Sequence, residues 1–464
     1  MTGEDFDDPS VDARRPLYDD IFKILELAGV NTDGMQLAWD FTTASRESNT
    51  GWMVHMRDEA LAATAGAGYT ITKVDTDWNP EDIAFRIDGT MTVPLYLDQP
   101  GAGGHLLFGE DGMPESKETY EVEWELIIPQ SALTEPAKLL QYGHGLLGSR
   151  TQIESEHFRT FMNQYNYAMF AVNLVGMAED DETWIGQKVG LGEVDELSAM
   201  FDRMHQGFVN YLVAMRVMSQ GMTADATYGQ YLDGDQKFYY GISQGGISGG
   251  VYMALTTEIE RGMLEVMGQP YTVLLDRSVD FDPFFAFLRF ALPDARDQLL
   301  FLGATQMLWD RAEPGGYSRY ITKDMLPGTP EHQVFMRAAV GDHQVSTYGA
   351  HIMARSIGAV HLDTGLPGIY GLTKATSPVT GQGAAYAEYD FGLPPVPICN
   401  LPLNLCEDPH GKLRKLDEAR EQLNHFFTTG EFVSVCTGGA DGKTCAFPEM
   451  SGCVGGEDPL KTCE

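Results

Sequence analysis

The pattern Gly-x-Ser-x-Gly occurs twice in the stretch KFYYGISQGGISGGVYMAL, once around Ser243 and again around Ser248. A serine hydroxyl is a weak nucleophile. To attack a carbonyl it needs a base for its proton and N–H donors for the oxyanion that develops. The two serines differ in what precedes them. GISQG directly follows the strand-like KFYY and opens a helix-like run, the strand, sharp turn and helix setting that lifts a hydroxyl clear of a sheet edge. Gly241 and Gly245 suit a turn too tight for side chains, with the serine itself in a strained backbone region. Ser248 has no strand before it and lies more than one helical turn further on, where Gly246, Gly249 and Gly250 let a helix approach a sheet closely. The expected nucleophile is Ser243, and Ser248 is read as structural.

The oxyanion donors have a second candidate segment, LLQYGHGLLGS, which puts His144-Gly145 just after a strand. Loops at strand ends present free backbone N–H groups, and those of Leu146 and Gln244 are expected to form the oxyanion hole. His144 itself reads as a supporting histidine rather than as the base.

These residues need elements to hold them. Residues 1 to about 70 mix a helical pattern, LYDDIFKILELAG, with a strand-like WMVHM and carry no catalytic pattern. From Tyr69 to Pro129 the strand candidates TITKV, MTVPLYL and YEVEWELIIP alternate with Gly/Pro-rich turns. From about Ala137 apolar strands alternate with longer helical patterns, AKLLQY, then EHFRTFMNQY, then YAMFAVNLV, then a long helix, then KFYY, which is α/β order. In the long helix Phe201, Met204, Phe208, Leu212 and Met215 recur at three-to-four spacing, a core-facing stripe. Sheet order resumes with VFMRAAVGD and AVHLDTG, and an amphipathic helix runs through DEAREQLNHFF.

With these motifs in place the chain resembles the α/β-hydrolase superfamily, in particular its secreted bacterial esterases and lipases. GHGLLG is similar to the oxyanion loop of secreted bacterial lipases and GISQG to the nucleophile elbow. The resemblance covers about Ala137 to Gly430 and implies an α/β fold with a mostly parallel central sheet flanked by helices. It also implies the chain order serine, acid, histidine, with the acid after a late strand and the histidine in a loop before the last helix. VFMRAAVGDHQVS then places Asp342 as the acid, with Asp276, Asp280 and Asp282 as runners-up read as cap-hinge charges. CEDPHGKLRKLDEAREQLNHFF places His410 as the base. His425 is assigned to the core, His343 stands beside the acid and is read as exposed, and His332, His351 and His361 lack the loop-before-helix setting. The organisation read from the chain is an N-terminal extension with a β-rich flank (1–136), a hydrolase domain (137–430) with a helical cap insertion (281–325), and a Cys-rich tail (431–464).

The cap stretch is rich in aromatic residues. Phe284, Phe285, Phe287, Leu288 and Phe290 are too many apolar side chains for a solvated loop, so they are expected to face the core or a pocket over Ser243. Phe284, Phe285, Met307 and Trp309 are the candidates for substrate contact, which implies a neutral apolar or aromatic ester. A carboxylic ester hydrolase follows, with lipase, polyester hydrolase, lactonase and peptidase open on the same triad. A non-catalytic surface-binding module on a hydrolase scaffold is the alternative of another class. No metal or organic cofactor is demanded, and the Asp-rich DFDDPSVD lacks the spacing of a calcium loop.

Composition bounds the partners. With 31 Lys+Arg against 67 Asp+Glu the net charge is -36, which repels nucleic acid and anionic membrane surfaces. The partner expected is therefore a small-molecule or polymeric ester, with no nucleic acid and no transmembrane segment, and the oligomeric state is not legible. All six cysteines stand at or after Cys399, without zinc-site spacing, and are expected to form disulfides, Cys399–Cys406 among them. That implies a secreted, periplasmic or cell-surface protein with a leader outside this sequence.

Overall fold

In a computed structural model of the chain the described residues are 9–65, 68–394, 396, 399–439 and 442–453. Residues 5–8 of DFDDPSVD and the last residues of the tail, Cys463 included, lie outside them. Residues 9–46 belong to a compact unit of their own, containing the helix Arg15–Leu27. The second unit holds the sheet.

WMVHM is helical, not extended. It belongs to the helix Arg46–Ala63, whose Met53, Met56 and Ala60 are buried. Three-to-four spacing decided the outcome over local β-propensity.

Among the described residues eleven strands make one sheet: β1 (Tyr69–Asp75), β2 (Ile83–Leu95), β3 (Glu118–Pro129), β4 (Ala137–Gly143), β5 (Tyr167–Val172), β6 (Leu232–Ile242), β7 (Arg261–Glu265), β8 (Gln333–Val340), β9 (Val360–Leu362), β10 (Lys374–Ala375) and β11 (Ala384–Asp390). Their order is β1-β2-β3-β5-β4-β6-β7-β8-β11-β9-β10. The first three strands pair antiparallel with one another, and β3 pairs antiparallel with β5. From β5 onwards every pairing is parallel. The strands before Ala137 thus continue the sheet across the 136/137 boundary.

Alternation within the strands divides the core in two. Leu139, Leu264 and Met336 point into one apolar layer with the helices Ser198–Arg216 and Gln244–Leu255. Leu140, Met263 and Phe335 point into the other, with the helices Glu156–Tyr165 and Asp417–Thr429. A parallel sheet covered on both faces leaves the strand ends as the place for chemistry.

Between β7 and β8 the chain leaves the sheet to form the cap, with helices Asp282–Ala291 and Ala295–Trp309. Here two expectations fail. Phe285 and Leu288 are buried, but Phe287 and Phe290 are 49% and 86% exposed. Met307 is 72% exposed and lines no cavity with the other cap candidates, whereas Trp309 is buried. A helix turns about 100° per residue, so neighbours in an apolar run cannot all face inward.

The disulfide pairing also differs from expectation. Cys406 bonds to Cys453 and Cys436 to Cys445, while Cys399 is disulfide-bonded elsewhere. The tail returns over the loop that carries Cys406, with Glu407 N–H donating to Ser451 O (3.0 Å) and Lys412 Nζ to Met450 O. That return brings Cys453 beside Cys406.

Candidate active site

Ser243 is the single residue between the end of β6 and the helix Gln244–Leu255. Its backbone sits at φ 59°, ψ −122°, a region that costs a non-glycine residue about 1–3 kcal/mol. The turn is held by Ser243 N–H donating to Glu265 O (2.9 Å) and Ile247 N–H to Ser243 O (2.9 Å). A Cβ on Gly245 would overlap the Gly143 carbonyl, and one on Gly241 would overlap the Gly245 carbonyl. The glycines are therefore required by close approach of β4, β6 and the following helix.

Asp342 lies just beyond β8 and is buried, and His410 stands in the loop before the last long helix. The structure brings them together: His410 Nδ1 is 2.8 Å from Asp342 Oδ2 and 3.0 Å from Oδ1. The carboxylate is further held by the N–H groups of Gln344 (2.8 Å) and Val345 (2.9 Å) on Oδ1. With Nδ1 on the carboxylate, Nε2 is left as the basic atom of the ring. His410 and Ser243 line one cavity, together with Gly145, Leu146, Asp280 and Gln344. Asp280 makes no hydrogen bond to His410 among the described residues, and burial pushes its carboxyl up to about 6 against the opposing pull of His410.

The loop after β4 is braced from within. His144 is fully buried; its Nδ1 lies 2.8 Å from Gly145 O, and its Nε2 accepts from Leu174 N–H (2.8 Å). Nε2 as acceptor makes Nδ1 the protonated nitrogen, donating to Gly145 O. Burial depresses this imidazole to about 4, so it is neutral at ordinary pH. Gly145 C=O and Leu146 N–H share one planar trans peptide, so fixing the carbonyl aims the N–H the opposite way. Among the described residues neither the Leu146 N–H nor the Gln244 N–H has an acceptor. Gln244 opens its helix, where N–H groups have no intrahelical partner.

The second serine has a partner of another kind. Ser248 Oγ is buried and accepts from Gln244 Nε2 (2.9 Å), while Gln244 Oε1 accepts from the Tyr271 hydroxyl. Of the cap aromatics, Phe284, Phe285 and Trp309 line an apolar cavity beside the site, Trp309 stacking on Tyr271 at 3.8 Å between ring centroids. His425 is half-buried and paired with Glu431 (3.2 Å) rather than in the core, and His343 is buried rather than exposed, its Nε2 3.1 Å from Leu405 O.

Three positioning residues were missed in the sequence. Asp408 Oδ1 accepts from His410 N–H (3.0 Å) and Oδ2 from Gln344 Nε2 (2.7 Å), tying the histidine loop to the Asp342 loop. Burial raises the Asp408 carboxyl, but these hydrogen bonds outweigh it and hold the group below the usual range. Its signal was the Asp-x-His spacing in EDPHG. Glu265, whose carbonyl holds Ser243, is fully buried with Arg337 (2.5 Å) and Tyr240 OH (2.8 Å) on its carboxylate. Arg414 lies 3.7 Å from Glu265 and donates to His410 O (3.0 Å). Nothing local in the sequence announces that pairing.

The strand order, the single-residue elbow after β6 and the cap inserted between β7 and β8 are those of the α/β-hydrolase fold. The chain has that fold. It is similar to acetyl xylan esterase 1 from Thermoanaerobacterium sp. JW/SL YS485 at 11% identity and a TM-score of 0.45, over 75% of this chain and 90% of that one. It is similar also to the acetyl xylan esterase from Paenibacillus sp. R4 at 12% identity and a TM-score of 0.44, over 76% and 91%. No protein-family model and no curated protein sequence matches the chain.

Proposed function

We propose that the protein is a serine carboxylic ester hydrolase in which Ser243 is the nucleophile, His410 the base and Asp342 the acid. The observation that carries the reading is His410, paired with Asp342, in the same cavity as a serine on a strained strand-to-helix turn. In this reading His410 Nε2 takes the Ser243 proton as Oγ attacks the ester carbonyl, and the Leu146 and Gln244 N–H groups receive the oxyanion. The C–O bond to the alcohol then breaks, and the proton on His410 passes to the departing alkoxide. Water, deprotonated by His410, adds to the acyl-enzyme; the bond to Ser243 Oγ breaks, the proton on His410 returns to Oγ, and the acid is released. Asp342 orients the ring and stabilises the imidazolium without itself taking the proton. The apolar cavity with Phe284, Phe285 and Trp309 supports a neutral apolar or aromatic group on the substrate. The disulfides support an oxidising compartment, and among the described residues no helix is long and apolar enough to cross a membrane.

The test is a screen of p-nitrophenyl esters, lactones and a peptide amide, with a fluorophosphonate label and peptide mapping. Ester turnover with the label on Ser243 is expected. A label elsewhere, or none with no turnover of any class, would refute the assignment.

A further inference from the structure

Two cavities meet at the loop after β4, and their walls differ in chemistry. One, of about 140 Å³, lies under the cap, and among its described lining residues only Thr305 and Trp309 carry a side-chain nitrogen or oxygen. The other, of about 680 Å³, holds Ser243 and His410, with Gln152, Ser155, Asp280 and Gln344 in its wall. Leu146, Leu147 and Phe284 border both. An ester spanning this boundary has one half in each.

Which half goes where follows from the proton. The departing alcohol must receive its proton from His410, and His410 lines the polar cavity and not the apolar one. The alcohol side of the ester is therefore on the polar side. The carbonyl oxygen is directed to the Leu146 N–H, and the acyl chain runs past Leu146 and Leu147 beneath the cap. On this basis, and resting on the reading of Ser243 as nucleophile, we infer that the substrate is an ester of a hydroxylated alcohol with an apolar acyl group of about six carbons or one phenyl ring.

The acyl limit comes from volume, since an apolar cavity of about 150 Å³ engineered in another protein holds one benzene. The alcohol's character comes from the acceptors. Asp280 presents a carboxyl that no donor reaches among the described residues, and the Gln344 amide, whose nitrogen is given to Asp408, keeps its oxygen for another donor. This half-buried carboxyl takes its hydrogen bonds from whatever occupies the cavity, and a hydroxyl of the substrate supplies one.

An inverted pair of esters tests the inference on the intact protein: glyceryl monohexanoate, with polar alcohol and apolar acyl group, against hexyl glycerate, with the two exchanged. The expected result is a kcat/KM at least about tenfold higher for glyceryl monohexanoate, falling again for the dodecanoate. Asp280→Asn should lower the ratio of glyceryl hexanoate to methyl hexanoate turnover by about tenfold, a ratio in which any general damage to His410 cancels. Thr305→Trp should lower hexanoate turnover relative to acetate. Equal or reversed rates for the inverted pair, or a preference for choline hexanoate over the glyceryl ester, would overturn the inference while Ser243 still takes a fluorophosphonate. Failure of both turnover and labelling removes the hydrolase reading itself.

Discussion

Replacing His144 with alanine separates the brace of the oxyanion loop from the loop itself. The substitution removes two hydrogen bonds, Nδ1–H to Gly145 O and Leu174 N–H to Nε2, both 2.8 Å. The Gly145 carbonyl keeps a second donor, the Gly148 N–H at 3.1 Å, so the main cost is the buried Leu174 N–H left without an acceptor. One such group costs about 1–3 kcal/mol, and lost packing brings the total to about 2–4 kcal/mol at neutral pH. Because the loop is only partly released, turnover should fall about tenfold to a hundredfold, less than the loss of a whole oxyanion donor. The pH dependence gives the sharper readout. A histidine at about 4 in the fold and 6.5 unfolded contributes fully above pH 6.5, and that contribution is lost as pH falls towards 4. The difference corresponds to roughly 3 kcal/mol. Urea unfolding at pH 7 and pH 4 should therefore show a gap between wild type and His144→Ala that nearly closes at the lower pH. A variant with wild-type turnover and the same gap at both pH values would refute the argument.

Ser243→Ala should abolish ester turnover and fluorophosphonate labelling, whereas Ser248→Ala, which only strands one amide hydrogen of Gln244, should cost about 1–3 kcal/mol in urea unfolding and less than about tenfold in kcat. Asp342→Asn should cost about 10⁴ in kcat by favouring the wrong tautomer of His410, with little change in KM; a loss below about tenfold would point to another acid. Opening Cys406–Cys453, a closure over 47 residues, by Cys406→Ser with Cys453→Ser should lower stability by up to about 4 kcal/mol on the chain-entropy account, measured by thermal or urea unfolding. Loss of activity in that variant at temperatures where it remains folded would show that the bond also holds the His410 loop in register.

What could be read from the sequence was what neighbours in the chain decide. The elbow around Ser243 is legible because a strand, a tight glycine turn and a helix are consecutive, and the sheet because its apolar runs and helical stripes have different periods. Asp342 and His410, expected from the resemblance in chain order, are 68 residues apart, and only the parallel pairing of β8 with β11 brings their loops to one end of the sheet. The same limit explains the failures. Met307 and Phe290 belong to an apolar run, but which face of a helix is buried depends on what packs against it, and WMVHM became helical because its methionines had a core to meet. Cys406 stands nearer to Cys399 in sequence, yet its partner was chosen by the return of the tail. Glu265, Arg414 and Asp408 tie the serine, histidine and acid loops together through contacts between strand ends and loops. No local pattern records such contacts, because they exist only once the sheet has set the distances between its carboxyl ends.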